Sequence, residues 1–267
     1  MGRFEYYGEK GFPEVNLSEL KGKLIVIEGT DGVGRSTHTR LLKQWLENTG
    51  HAVLDTGMTR SALAGEGLKE AKEGHTLGAV TMTLFYATDF ADRLENEMIP
   101  ALRAGFVVLT DRYIYSLMAR ALVRGADPEW VRQVHDFALK PDIVVYLRVT
   151  IEELITRVVQ NAGFNYWESG MDLHLGSDYY DSFVAYQKLL LREFDRMSGE
   201  YGFQMIDTGR PIRRVAAELR RAVKRVIGDE PVTESEEAPA AAPAANPDIK
   251  KVASTTPATT GQQESSG

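Results

Sequence analysis

The stretch from Lys23 to Thr37 limits the possible folds more than any other. Leu24-Ile25-Val26-Ile27 is an apolar run of strand length. It is followed by the glycine-rich turn Gly29-Thr30-Asp31-Gly32-Val33-Gly34, and a helical pattern begins near Ser36. Strand, turn and helix in that order are the setting of a phosphate-binding loop, and Gly29-x4-Gly34-Arg35-Ser36 matches the loop's Gly-x4-Gly-Lys-Ser/Thr spacing except at Arg35. The residue types suit the chemistry. Successive backbone N–H groups in such a turn make an anion nest. The helix adds unpaired N–H groups and a partial positive charge. Gly29, Gly32 and Gly34 permit close approach of a phosphate to the backbone. Ser36 or Thr37 offers a hydroxyl to a phosphate-bound Mg²⁺. Arg35 keeps the charge, but its planar fork is larger than a lysine ammonium and differs in geometry.

An apolar first strand is the mark of a sheet covered on both faces. Further strands read at Ala52–Asp55, Phe106–Leu109, Ile143–Val149 and Phe203–Ile206. Helices read at 36–48, 63–73, 77–101, 114–123, 128–138, 151–160, 179–197 and 212–227. Asp127 caps the helix that opens at Pro128. Strand and helix alternate at βαβ spacing, which predicts an α/β fold with a parallel sheet of about five strands. Residues 161–176 form a loop region of lid size.

Residues 1–20 read as a leader or loose arm, and residues 21–227 as the folded domain. Residues 228–267, rich in Ala, Pro, Thr, Ser and Glu, read as a disordered tail that cannot bury enough apolar surface to offset ordering. With 267 residues and 43% hydrophobic content, one domain with a sizeable core is expected. The net charge of −7 argues against bulk binding to nucleic acid or an anionic membrane. The absence of cysteine excludes disulfides and thiolate chemistry. No apolar run approaches the roughly 18 residues of a membrane span, and no signal core opens the chain, so a cytoplasmic location is expected.

Three further sites stand out. Asp111, placed just past the third strand, can hold Mg²⁺ beside the loop. Its neighbour Arg112 can neutralise charge that develops on a transferring phosphoryl group. The pair also fits a structural ion pair at a strand end. Arg60, after the second strand, is either a phosphate contact or a solvated loop arginine. Phe85, in the long helix, can stack on a base or pack in the core.

Taken together, Glu28 to Thr37, Leu84-Phe85-Tyr86-Ala87-Thr88-Asp89, Asp111-Arg112-Tyr113-Ile114-Tyr115-Ser116, Gly125 to Trp130 and Pro141 to Leu147 resemble the thymidylate kinase family of P-loop nucleoside monophosphate kinases. The resemblance spans about Lys23 to Ile227. It implies a five-stranded parallel sheet with a lid, transfer of the γ-phosphoryl group of ATP with Mg²⁺ to a nucleoside monophosphate, commonly dTMP, and dimerisation through helices. It further implies that Arg35, Ser36 and Thr37 serve the donor phosphates and that Asp31 approaches the acceptor sugar. Phe85 stacks on the acceptor base, Asp111 serves Mg²⁺ and Arg112 the acceptor phosphate. The chain departs from the family at Arg35, at Phe90 in place of an acceptor-holding arginine, and at Arg120-Ala121 in place of a Tyr-Gln pair. Its stretch Asn161–Gly170 contains no arginine, and Arg157 is the nearest. These departures raise an alternative, a catalytically weakened nucleotide-binding scaffold. A kinase for a non-nucleotide small molecule is a third reading.

Overall fold

A computed structural model describes residues 4–9, 11–74, 77–161 and 163–228. The expected tail lies outside these residues from position 229 onward. The sheet has five strands, β1 (Lys23–Glu28), β2 (Val53–Gly57), β3 (Val107–Asp111), β4 (Ile143–Arg148) and β5 (Gln204–Asp207). They lie in the order β2-β3-β1-β4-β5, and every pairing is parallel. The helices are α1 (Arg35–Asn48), α2 (Gly65–Glu73), α3 (Ala79–Arg93), α4 (Ile99–Arg103), α5 (Ile114–Val123), α6 (Pro128–Val134), α7 (Ile151–Gln160), α8 (Tyr179–Tyr201) and α9 (Ile212–Ile227).

The strands explain the two-sided core. Along β1, Leu24 and Val26 belong to one apolar cluster with α3, α5 and α8. Ile25 and Ile27 belong to another with α1, α7 and α9. Side chains alternate across a strand, so a fully apolar strand feeds both layers. No helix among the described residues is long and apolar enough to cross a membrane.

Several boundaries differ from the sequence reading, each for a local reason. The helix expected over 77–101 begins at Ala79 and passes at Leu94–Met98 through a wider, π-type turn before α4. Pro100 has no N–H to give the regular ladder, and the chain widens just ahead of it. The helix from Pro128 stops at Val134, four residues early, although Asp127 caps it as expected by accepting from Trp130 N at 2.8 Å. Asp111 is the last residue of β3, paired with Ile27 and Gly57, and does not lie past the strand.

Residues 4–9 are packed onto the domain. Phe4 is buried. Tyr7 N donates to Ala138 O and Lys140 N to Glu5 O, Tyr6 bridges Leu139, and the Tyr7 and Tyr115 hydroxyls share a hydrogen bond. The sequence reading of a loose arm rested on absent periodicity. What holds this segment is main-chain pairing, which leaves no periodic signature.

Candidate active site

β1 and β3 lie side by side at the centre of the sheet, so the turn after β1 and the end of β3 open at the same edge. Gly34 is the N-cap of α1, in the left-handed region at φ 98°, and no side chain caps that terminus. The first N–H groups of the helix are therefore left for an anion. Gly29, at φ 147°, is needed for space as well as conformation, since an added Cβ would stand 2.5 Å from Leu147 O.

Arg35 is folded back over this turn. Its Nε donates to Asp111 Oδ1 at 2.7 Å and its Nη1 donates to the carbonyls of Gly29 and Thr30. The residue that stands in the lysine position thus ties the loop to β3. Ser36 is exposed at the start of α1 and Thr37 is half-buried beside it.

Asp31 is the electrostatic centre. Arg112 Nη2 donates to Asp31 Oδ1, Arg120 Nη2 donates to Asp31 Oδ2 at 2.7 Å, and Arg35 Nη2 lies 3.8 Å from Oδ1. Burial alone would raise this carboxyl. The charges of Arg112, Arg120 and Arg35 outweigh it and hold Asp31 well below the usual carboxylate range. Arg112 has φ 74°, a strained conformation for a residue with a side chain. It is held there by Arg112 N donating to Ile27 O at 3.0 Å and by Thr110 Oγ1 donating to Arg112 O at 2.7 Å. At the base of the turn, the fully buried Glu28 accepts from Tyr113 N, Ser116 N and Ser116 Oγ, which couples the loop to the start of α5. Burial raises its carboxyl.

A cavity of about 240 Å³ opens beside this cluster. Its walls include Asp31, Arg60, Asp111, Arg112, Arg120 and Glu168. Arg60 reaches it from the loop after β2, its guanidinium 3.4 Å from Asp55 Oδ1 and about half exposed. The loop is shaped by Asp89 of α3, which accepts from Thr59 N and Ser61 N and from Arg93 Nε. Phe85 is half-buried against α2 near Gly67 and the main core, and the residue of that helix that lines the cavity is its neighbour Tyr86. Phe90 is fully buried, edge-on to Tyr113. Arg157 serves a different purpose from a lid arginine. It donates to Val33 O and to Thr208, tying the glycine turn to the end of β5.

Residues 167–172 of the lid region are tied to the helices around them. Trp167 Nε1 donates to Lys72 O on α2 at 2.9 Å. Arg124, the residue after α5, grips Asp172 through two nitrogens. On α8, Gln187 donates to Glu168 O, and Ser182 donates to Ser169 O and Gly170 O. Glu168 faces the arginine cluster, and its carboxyl is raised by burial and then by Asp31.

Arg120, Tyr86, Trp167 and Glu168 were not singled out as site residues by their sequence positions. Arg120 alone carried a signal, as half of the Arg120-Ala121 departure from the family's Tyr-Gln pair. A family model described as thymidylate kinase matches residues 27–219. The chain belongs to the thymidylate kinase family. It is 35% identical over 210 residues to a probable thymidylate kinase 2 of Saccharolobus solfataricus, covering 78% of this chain and 98% of the relative. A probable thymidylate kinase of Thermococcus kodakarensis is 38% identical over 143 residues, 50% of this chain and 70% of the relative. A thymidylate kinase of Brachyspira hyodysenteriae is 33% identical over 146 residues, 54% and 72% respectively. Membership of the thymidylate kinase family supports a nucleoside monophosphate kinase, and the parallel sheet agrees with the fold implied by the resemblance.

Proposed function

We propose that this protein transfers the γ-phosphoryl group of ATP to dTMP or a closely related nucleoside monophosphate. The observation that carries the reading is the convergence of Arg35, Arg112 and Arg120 on Asp31, between an uncapped helix N-terminus and a cavity of about 240 Å³. Two phosphate-bearing substrates need two adjacent anion sites, and the turn with α1 and the Arg112–Arg120 wall supply them. Gly29, Gly32 and Gly34 bring backbone donors to the donor phosphates. Asp31, held ionised by its arginines, accepts a hydrogen bond from the acceptor sugar. Arg112 and Arg60 face the acceptor phosphate across the cavity.

Ser36 and Asp111 fit Mg²⁺ that arrives with the nucleotide. Both offer hard oxygen donors, and Asp111 Oδ1 alone is engaged by Arg35. No group of three or more His, Cys, Asp or Glu side chains that could hold a metal ion is found among the described residues, so Ser36 and Asp111 would hold Mg²⁺ only together with substrate oxygens and water. When bound, Mg²⁺ neutralises charge on the transferring phosphates. Pairing of two copies through helices, which the resemblance implies, is checked by light scattering.

The test is ADP release from Mg-ATP over a panel of nucleoside monophosphates. Turnover highest with a deoxypyrimidine monophosphate supports the reading, and no turnover above background with any acceptor refutes it. One observation favours a second reading, a nucleotide-binding protein with weakened transfer. Arg35 gives its donors to Gly29, Thr30 and Asp111, and a guanidinium committed there is withheld from the phosphates. That reading requires ATP to raise the melting temperature while no diphosphate product forms.

A further inference from the structure

Residues 4–9 lie ahead of the stretch matched by the family model, residues 27–219, yet they are tied to the turn that carries Arg112. They run antiparallel to residues 136–140. Tyr7 N donates to Ala138 O at 3.0 Å, Gly8 N to Asp136 O at 2.7 Å and Lys140 N to Glu5 O at 2.8 Å. The approach is close at Gly8, where an added Cβ would stand 2.6 Å from Asp136 Cβ. Both phenols of the first turn of α5 end on this pair of segments. Tyr113 Oη donates to Leu139 O at 2.8 Å, and Leu139 is bridged to Tyr6. Tyr115 is fully buried, and among the described residues Tyr7 Oη is the hydrogen-bond partner of its hydroxyl. The ring of Tyr7 stands edge-on to both Tyr115 and Tyr201.

The same turn serves the site. Arg112 immediately precedes Tyr113 and is held at φ 74°. A strained residue keeps its conformation only where its surroundings over-determine it. On its N-terminal side the restraints are the bonds to Ile27 O and from Thr110 Oγ1. On its C-terminal side they are the bonds from Tyr113 N and Ser116 N to Glu28 and the two phenol ties. Glu28 is the residue before Gly29, so this turn also braces the foot of the glycine loop. Tyr7 itself does not line the cavity of about 240 Å³.

We propose that Tyr7 is a positioning residue for phosphoryl transfer. Through the hydroxyl of Tyr115 it fixes residues 112–116, and so keeps Arg112 against Asp31 and directed at the acceptor phosphate. This rests on the kinase reading above. Tyr7 touches no reacting group, and its effect passes through Tyr115 alone. Misplacing a catalytic group by 1 Å costs about 100-fold in rate. Loss of one of several restraints on the turn is a smaller displacement, and a loss of about tenfold is expected.

The experiment separates positioning from stability with two variants of the full chain. Tyr7→Phe keeps the ring and leaves the Tyr115 hydroxyl buried without a partner, which lowers the melting temperature. Tyr7→Phe with Tyr115→Phe removes both hydroxyls, a replacement by apolar groups of the same shape that is nearly neutral for stability. For each, the melting temperature, kcat and KM with Mg-ATP and dTMP, and amide hydrogen exchange over residues 110–117 without nucleotide are measured. Both variants are expected to lose about tenfold in kcat and to exchange faster at 112–116. KM for ATP is expected to hold, because Gly29 and Gly34 set the donor turn through their own backbone. A kcat that falls in the single variant and recovers with the melting temperature in the double one would overturn the proposal and leave Tyr7 a purely structural residue. Wild-type kcat in Tyr7→Phe, or unchanged exchange at 112–116 in both variants, would overturn it as well. A wild type that turns over no acceptor refutes the kinase reading instead. Exchange then decides alone: faster exchange at 112–116 in the double variant supports the tie from Tyr7 to the Arg112 turn, and unchanged exchange overturns it.

Discussion

Replacing Arg35 by lysine separates two quantities that usually change together. In the free protein Arg35 donates to Asp111 Oδ1, Gly29 O and Thr30 O from three directions of one planar group. A lysine ammonium is a single point on a flexible stem and cannot span the carboxylate and both carbonyls. At least one of these bonds is lost, and the remaining ones loosen. Hydrogen bonds to charged groups contribute about 1.5–3 kcal/mol each, so Arg35→Lys should cost roughly 2 kcal/mol. For a domain of this size that lowers the melting temperature by about 4–8 °C. Over the same change, the loop carbonyls and Asp111 are freed from the guanidinium, and the ammonium gains access to the donor phosphates. ADP release at saturating Mg-ATP should rise by about tenfold or more, the scale of an added charged contact in the transition state. The assay is thermal unfolding without nucleotide, run beside steady-state ADP release. A variant with an unchanged melting temperature would refute the bracing role of Arg35. A destabilised variant with no gain in rate would show that the guanidinium does not restrain transfer.

Gly29→Ala should be more damaging than Gly34→Ala. Both place a side chain at positive φ, but at Gly29 the new Cβ would collide with Leu147 O, whereas at Gly34 it would find only His38 Cδ2 at 3.8 Å. Equal melting temperatures for the two variants would contradict the close approach at Gly29. Burial lowers the pKa of both His38 and His135. Their folded values therefore lie below the unfolded value of about 6.5, so stability is full above about pH 6.5 and declines as pH falls toward the folded values. Denaturant unfolding from pH 8 to pH 5 checks this, and His135→Gln should flatten part of the decline. Arg124→Ala removes the two-nitrogen grip on Asp172 and the bond to Tyr186 Oη. It should make residues 163–176 a preferred site of limited proteolysis, and wild-type resistance in that variant would show that the lid does not depend on α5.

The fold was legible because its signals were local and repeated. Apolar strands such as Leu24–Ile27 and Ile143–Leu147 alternate with amphipathic helices, and right-handed crossovers leave few ways to assemble them. The phosphate turn was legible because glycine at Gly29 and Gly34 answers a backbone requirement that no other residue meets cheaply. What escaped were contacts made between distant segments. Arg120 and Asp31 are far apart in the chain, and only the packing of α5 beside α3 and α8 brings them within 2.7 Å. Phe85 and Tyr86 are adjacent aromatics on α3. Composition cannot say which of the two faces the cavity, because the rotation of α3 is set by its packing. The direction of Arg35 was equally hidden, since nothing in a sequence tells whether a long side chain reaches outward or folds onto its own loop.

The way the lid is held has a bearing on how this chain could diverge. The grips from α8 fall on the carbonyl oxygens of Glu168, Ser169 and Gly170, and Trp167 in turn holds the carbonyl of Lys72. Every residue type carries a carbonyl, so substitutions at 168 and 169 leave these attachments in place. A charged side chain placed at 168 or 169 would leave these main-chain attachments in place. A lid free of arginine is therefore compatible with an intact enclosure, and its chemistry could drift while its architecture was inherited.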